Sequence, residues 1–269
     1  MAKQPPAFKH TAVTVQSRKG ADPLVAVTCY DYTFARLVDE FADIVLVGDS
    51  LGMVVQGEHN TLGVTVDDVV YHTRAVSKGL HRAHLVADLP FGSYQGCVRD
   101  AVNAATRLLG EGKAEAVKLE GGVAMADTVD RLVSIGVPVM GHIGLTPQSV
   151  HQFGGFKVQG RSDEARTMIL KDALALQDAG VYSIVLEGIP APLAKEITAE
   201  LRVPTIGIGA GPSCDGQVLV ITDLLGLNPS FKPKFVKNFA SLSSAVSEAL
   251  SAYRREVKAG TFPDKEHSF

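Results

Sequence analysis

Tryptophan is absent from this chain of 269 residues, aromatic side chains make up only 6%, and its three cysteines, Cys29, Cys97 and Cys214, are widely scattered. With no C-x-x-C pair among them they form neither a disulfide framework nor a thiolate metal site, and they read as buried thiols in a reducing compartment. An excess of positive charge is missing too. The formal net charge is −3 and the isoelectric point about 6.2, which leaves no basic footprint for a phosphate backbone and argues against a nucleic-acid partner. No apolar run approaches the ~20 residues needed to span a bilayer, so no membrane partner is expected either. The opening stretch MAKQPPAFKHTAVTVQSRKG is basic and free of acid, as transit peptides are, yet it lacks an apolar core and a small-residue cleavage site. It reads as the short N-terminal lead-in of a cytoplasmic protein. No Ser/Pro-rich linker, charge block or low-complexity stretch divides the chain, so residues 1–269 are expected to form one domain.

What the chain does have is a core-building composition, 46% hydrophobic and 20% charged. From residue 24 onward, short β-rich runs alternate with amphipathic stretches. Eight such runs are recognisable, at 24–29, 43–48, 83–88, 115–120, 137–142, 182–187, 203–209 and 217–222. Helical patterns lie between them. In SDEARTMILKDALALQDAG, Ala165, Met168, Ile169, Ala173 and Leu176 share one face, Ser162 suits the N-cap and Gly180 the C-terminal stop. Another helix is predicted to open at Thr65, with Asp68 at capping-box spacing, and a last one covers about 241–260. Near-continuous apolar strands alternating with helices imply parallel pairing, and eight units favour a (β/α)8 TIM barrel over an open doubly wound sheet. The link AGPSCDG between the seventh and eighth runs is too short for a proper helix, so an open sheet remains the structural alternative.

Acids recur where these strands stop: Asp49 in VLVGDS, Asp88 in LVADLP, Glu120 in VKLEGG and Glu187 in IVLEGIP. The C-terminal ends of all barrel strands meet on one face, so acids distant in sequence converge there. Clustered carboxylates repel unless a cation neutralises them or one keeps its proton. With oxygen donors and no His or Cys cluster, the expected cation is Mg²⁺. Any one of these acids, taken alone, reads equally as a helix cap or a solvated loop charge, and Ser50 beside Asp49 as a cap or a ligand contact. Strand alternation sends Lys118 and Glu120 to the same face, into the barrel. Lys118 then reads as a structural ion pair, as a partner for an anionic substrate or as a Schiff-base lysine. Glu187, among apolar neighbours, suits proton abstraction if partial burial raises its pKa. His142 is either structural or a substrate contact. The glycines of IGIGAG lack dinucleotide-loop spacing and fit close backbone approach, for a ligand or for packing, while GLTPQSVHQFGGFKVQGR has the look of a lid or a subunit contact.

Several long collinear motifs, TCYDYTFA, VLVGDSLGMVVQG, TLGVTVDDVVYHTRAV, ADLPFGSY, VKLEGG, GHIGLTPQSVHQFGGFKVQGR, PTIGIGAGPSCDGQVLV and PKFVKNF, closely resemble the ketopantoate hydroxymethyltransferase family, from about Thr14 to the terminal EHSF. The resemblance implies a (β/α)8 barrel of the phosphoenolpyruvate/pyruvate superfamily, Mg²⁺ dependence and 5,10-methylenetetrahydrofolate as the one-carbon donor to a small 2-oxo acid. It also implies a homo-oligomer, commonly a decamer, and a place in pantothenate biosynthesis. Matched by motif, it makes Asp49, Asp88 and Glu120 metal-site residues. Asp49, Ser50, Asp88 and Lys118 become substrate contacts, with His142 beside them, and Glu187 the proton acceptor. The rival readings are a Mg²⁺-dependent 2-oxo acid lyase of the same superfamily, whose KxCGH-like stretch is missing, a Schiff-base aldolase and a catalytically silent barrel.

Overall fold

The computed structural model describes residues 8–228 and 233–269, so the first seven residues of the lead-in lie outside the described chain. Eight parallel strands close into a barrel in chain order: β1 (Leu24–Thr28), β2 (Ile44–Val47), β3 (His84–Asp88), β4 (Ala116–Glu120), β5 (Val139–Gly144), β6 (Ser183–Glu187), β7 (Thr205–Ile208) and β8 (Gly216–Leu219). Pairing of β1 with β8, Leu24 opposite Gly216 through Val27 opposite Leu219, closes the ring and excludes the open sheet. The helix-free link between β7 and β8 still delivers a parallel register, Ile206 opposite Gly216. Boundaries differ most from the sequence reading at the fifth and eighth runs: the fifth, read as 137–142, is strand over Val139–Gly144, and the eighth stops at Leu219, with Ile221–Leu224 helical where strand was expected to 222.

Side chains alternate across each strand, which puts one set inside the barrel and the other against the helices. The inner set builds the core: Ala26, Ile44, Leu46, Val86, Ala116, Met140, Val185, Ile206 and Val218 are all buried together. Val15, from the short helix Ala12–Gln16, joins the same cluster with no exposure. The lead-in is thus part of the fold, and two lysines hold it: Lys9 Nζ lies 3.0 Å from Glu115 Oε2, and Lys19 Nζ 2.9 Å from Asp215 Oδ2.

The helix signals read from the sequence operate as expected. Thr65 Oγ1 accepts from the Asp68 N–H while Asp68 Oδ2 accepts from the Thr65 N–H, opening the helix Val66–Ser77. Ser162 caps Asp163–Asp178, whose buried stripe is Ile169, Ala173, Leu176 and Gln177. Met168, assigned to that face, is instead 66% exposed, because its position lies at the edge of the arc that meets the barrel. Cys29 and Cys214 are buried but Cys97 is exposed, at the start of helix Val98–Gly110, which corrects the expectation of three buried thiols. The backbone groups into two compact units, one running to Val220 and holding the barrel, the other Ile221–Phe269. The second contains the helix Leu242–Ala259, none of whose residues is buried.

Candidate active site

Asp88, Glu120 and Glu187 are the last residues of β3, β4 and β6, and Asp49 lies two residues beyond β2. Register places them side by side: Asp88 faces Lys118 across β3 and β4, Glu120 faces His142 across β4 and β5, and Gly144 faces Glu187 across β5 and β6. All the sequence-predicted residues therefore reach one barrel mouth. Asp49, Asp88, Lys118, Glu120 and His142 are buried, and Glu187 is the most open of the group's acids, with its side chain 16% exposed.

The groups are wired to one another. The Asp49 N–H donates to Asp88 Oδ2 at 3.0 Å, and Lys118 Nζ lies 3.2 Å from the same oxygen. Lys118 also contacts His142 Nδ1 at 3.2 Å, and His142 Nε2 sits 3.2 Å from Glu187 Oε2. His142 Nδ1 also lies 3.4 Å from Glu120 Oε1, so a charged ring, which donates from both nitrogens, stands between the carboxylates of Glu120 and Glu187. Ser50 makes no capping bond. Its Oγ pairs at 2.9 Å with the Tyr30 hydroxyl. Gly48 admits this crowding: a Cβ there would stand 2.8 Å from Ser50 Oγ and 3.4 Å from Asp88 Oδ2.

Charge balance follows from burial. Burial first, then the charges of Asp88 and Glu120, push the Asp49 carboxyl up to about 8. Burial alone would lower Lys118, but Asp88, Glu120 and Asp49 outweigh it and hold the ammonium above the ordinary lysine range. A lysine so held is charged at neutral pH, which suits an anionic substrate and not the neutral amine of Schiff-base chemistry. Burial and Lys118 disfavour a charged His142, yet Glu120 and Glu187 raise it to about 9.

The donor set fits a hard divalent cation. Asp88 Oδ1 is buried with no hydrogen-bond partner, an expensive state for a carboxylate oxygen that a cation would relieve, and Glu120 Oε1 makes no hydrogen bond either, its ion-pair neighbour being His142 Nδ1 at 3.4 Å. Among the described residues, no three His, Cys, Asp or Glu side chains stand so as to hold a metal ion by themselves. Oxygen donors from carboxylates are the chemistry of Mg²⁺, which takes one or two carboxylates with water or substrate in its other positions, and not of Zn²⁺, which prefers Cys and His.

Residues that sequence reasoning did not single out complete the mouth. The Gln148 N–H donates to Glu120 Oε2 at 2.9 Å and its Nε2 to Asp49 Oδ2 at 2.8 Å. The Tyr94 hydroxyl accepts from the Glu120 N–H at 3.0 Å. Both lie inside quoted motifs, but nothing in their spacing separates them from packing residues. Gln148, near the start of GLTPQSVHQFGGFKVQGR, is buried in the site, while Phe156 and Val158 further along the same stretch are exposed. Two of the IGIGAG glycines serve packing: a Cβ on Gly211 would meet Ala191 Cβ at 2.4 Å, and one on Gly207 would meet Cys214 Sγ at 2.9 Å.

Comparison with known proteins gives a consistent result. A profile described as ketopantoate hydroxymethyltransferase matches residues 9–265. The 3-methyl-2-oxobutanoate hydroxymethyltransferase of Anaeromyxobacter sp. (strain K) is 56% identical, over 100% of this chain and 90% of the relative. That of Geobacter sulfurreducens is 54% identical over 96% and 98%. Among solved structures, 2,3-dimethylmalate lyase, a PEP mutase/isocitrate lyase superfamily member, is similar with a TM-score of 0.60 at 18% identity, covering 96% of this chain and 89% of that one. Phosphonopyruvate hydrolase complexed with oxalate and Mg²⁺ scores 0.63 at 10% identity, over 96% and 93%. At such low identity these two show the barrel fold.

Proposed function

Because the chain belongs to the ketopantoate hydroxymethyltransferase family, we propose that it moves a hydroxymethyl group from 5,10-methylenetetrahydrofolate to 3-methyl-2-oxobutanoate, giving 2-dehydropantoate. The observation that carries the residue assignment is the single mouth in which a charged Lys118 stands among Asp49, Asp88 and Glu120, with the more open Glu187 beyond His142. Asp49, Asp88 and Glu120 are the residues that would hold Mg²⁺. When bound, the ion supplies Lewis-acid polarisation of the 2-oxo group.

The chain's own groups do the rest. Lys118 offsets substrate charge, with Asp49, Ser50 and Asp88 lining the same pocket. Glu187 takes the proton from C3 as that C–H bond breaks, and the His142 Nε2 hydrogen steadies its carboxylate. Lys118 stabilises the enolate as charge moves onto oxygen in a site sheltered from water. The C3 carbon then bonds to the one-carbon unit of the folate, and one water is consumed as tetrahydrofolate departs. The place in pantothenate biosynthesis, the cytoplasmic setting and the homodecamer belong to the same proposal; among the described residues no helix is long and apolar enough to cross a membrane.

Proton NMR of 3-methyl-2-oxobutanoate in D₂O tests the first step. Mg²⁺-dependent loss of the C3 proton signal is expected, followed by product once methylenetetrahydrofolate is added. No exchange with or without the folate would overturn the transferase reading and favour the lyase.

A further inference from the structure

We propose that Gln148 is a positioning residue for the metal site, fixing Asp49 and Glu120 so that one oxygen of each faces the cation; this rests on the metal reading above. The chain of contacts determines how the amide points. The Gly92 N–H donates to Gln95 Oε1 at 2.8 Å, so Gln95 presents its Nε2, which donates to Gln148 Oε1 at 2.9 Å. The Tyr94 hydroxyl donates to the same Oε1 at 2.7 Å. Gln148 Nε2 must then be the donor to Asp49 Oδ2, and its second hydrogen goes to the Leu89 carbonyl at 3.0 Å. Every side-chain polar atom of this buried amide is used.

The outcome is a division of labour between carboxylate oxygens. Gln148 engages Asp49 Oδ2 with its side chain and Glu120 Oε2 with its backbone N–H, while Asp88 Oδ2 is taken by the Asp49 N–H and Lys118. Asp88 Oδ1 is left buried without a partner, and Glu120 Oε1 is left without a hydrogen bond, facing only the His142 ring at 3.4 Å. Gln148 bonds Asp49 with its side chain and Glu120 with its backbone, so it sets the spacing of two acids that repel each other. Partners of this kind orient first-contact ligands and govern affinity.

The test is Mn²⁺ binding, followed by electron paramagnetic resonance on the full chain without turnover. Gln148→Met keeps the side chain's length and deletes both polar functions. Its Mn²⁺ dissociation constant is expected to rise by about 10-fold to 100-fold, with far-UV circular dichroism unchanged. Gln95→Leu, which removes the amide that donates to Gln148 Oε1, is expected to shift the constant in the same direction by less, and decides the matter if Gln148→Met does not fold. A wild-type constant in the folded variant overturns the proposal, because a merely structural glutamine would alter melting and leave affinity alone. Failure of the wild type itself to bind Mn²⁺ overturns the metal reading and this proposal with it.

Discussion

At the scale of single residues, the site is a set of charges that burial would forbid separately. Asp88 and Lys118 are each almost fully buried, and such a pair adds little net stability beyond what it takes to desolvate it. Its presence is explained by what it faces. Glu187 stands apart as the acid with access to the mouth, which makes it the group to alter first. Glu187→Gln should slow C3 exchange by about 10²-fold to 10⁴-fold while Mn²⁺ binding stays at the wild-type level. Exchange at the wild-type rate would remove Glu187 from its role. Lys118 and Glu120 were legible in the sequence because strand periodicity alone sends both inward. Gln148 and Tyr94 were not, because hydrogen bonds 26 to 99 residues apart leave no local pattern.

At the scale of elements, the lower rim of the barrel depends on Asp215, which precedes β8. Its carboxylate accepts from the Gly20 N–H and the Thr205 N–H and pairs with Lys19, joining the lead-in to β7. Burial works against the charged form, but Lys19 and these backbone donors overcome it and hold the carboxyl below its ordinary value. The sign follows: a depressed folded-state pKa gives stability that is present above the unfolded pKa, about 3.9, and is lost as pH falls through the folded value. Asp215→Asn should therefore lower stability at neutral pH by about 1.5–3 kcal/mol and flatten the acid limb of the denaturation profile below about pH 4. Urea unfolding across pH provides the check, and parallel curves for the two proteins would refute it. Most elements were legible, since caps such as Thr65 and Ser162 act locally. The eighth strand's early end was not, because the apolar run through Ile221 does not distinguish strand from a short helix.

At the scale of the whole molecule, the barrel mouth gathers buried acids whose oxygens are not all engaged by the chain's own donors. Saturation with Mg²⁺ at ~100 times its dissociation constant should stabilise the protein by about 2.7 kcal/mol, or roughly 5–10 °C in melting temperature for a chain of this size. Differential scanning calorimetry with Mg²⁺ and with EDTA measures this, and coincident transitions would mean that no cation is held. The proposed decamer is checked by light scattering, where a particle of ten 28.5-kDa chains is expected; a monomer would refute that assignment.

The sequence by itself determined the alternation of eight strands with helices, the strand end near which each acid lies and the inward direction of Lys118 and Glu120, because periodicity, capping and alternation are properties of neighbours along the chain; closure into a barrel over an open sheet was decided by the pairing of β1 with β8. Only the tertiary structure decided which oxygens of those acids stay open, that Ser50 answers to Tyr30, and that Gln148 bridges Asp49 and Glu120. Those outcomes depend on closure of the ring, which brings groups from β2, β3, β4 and the segment after β5 within hydrogen-bonding distance in a space that excludes water.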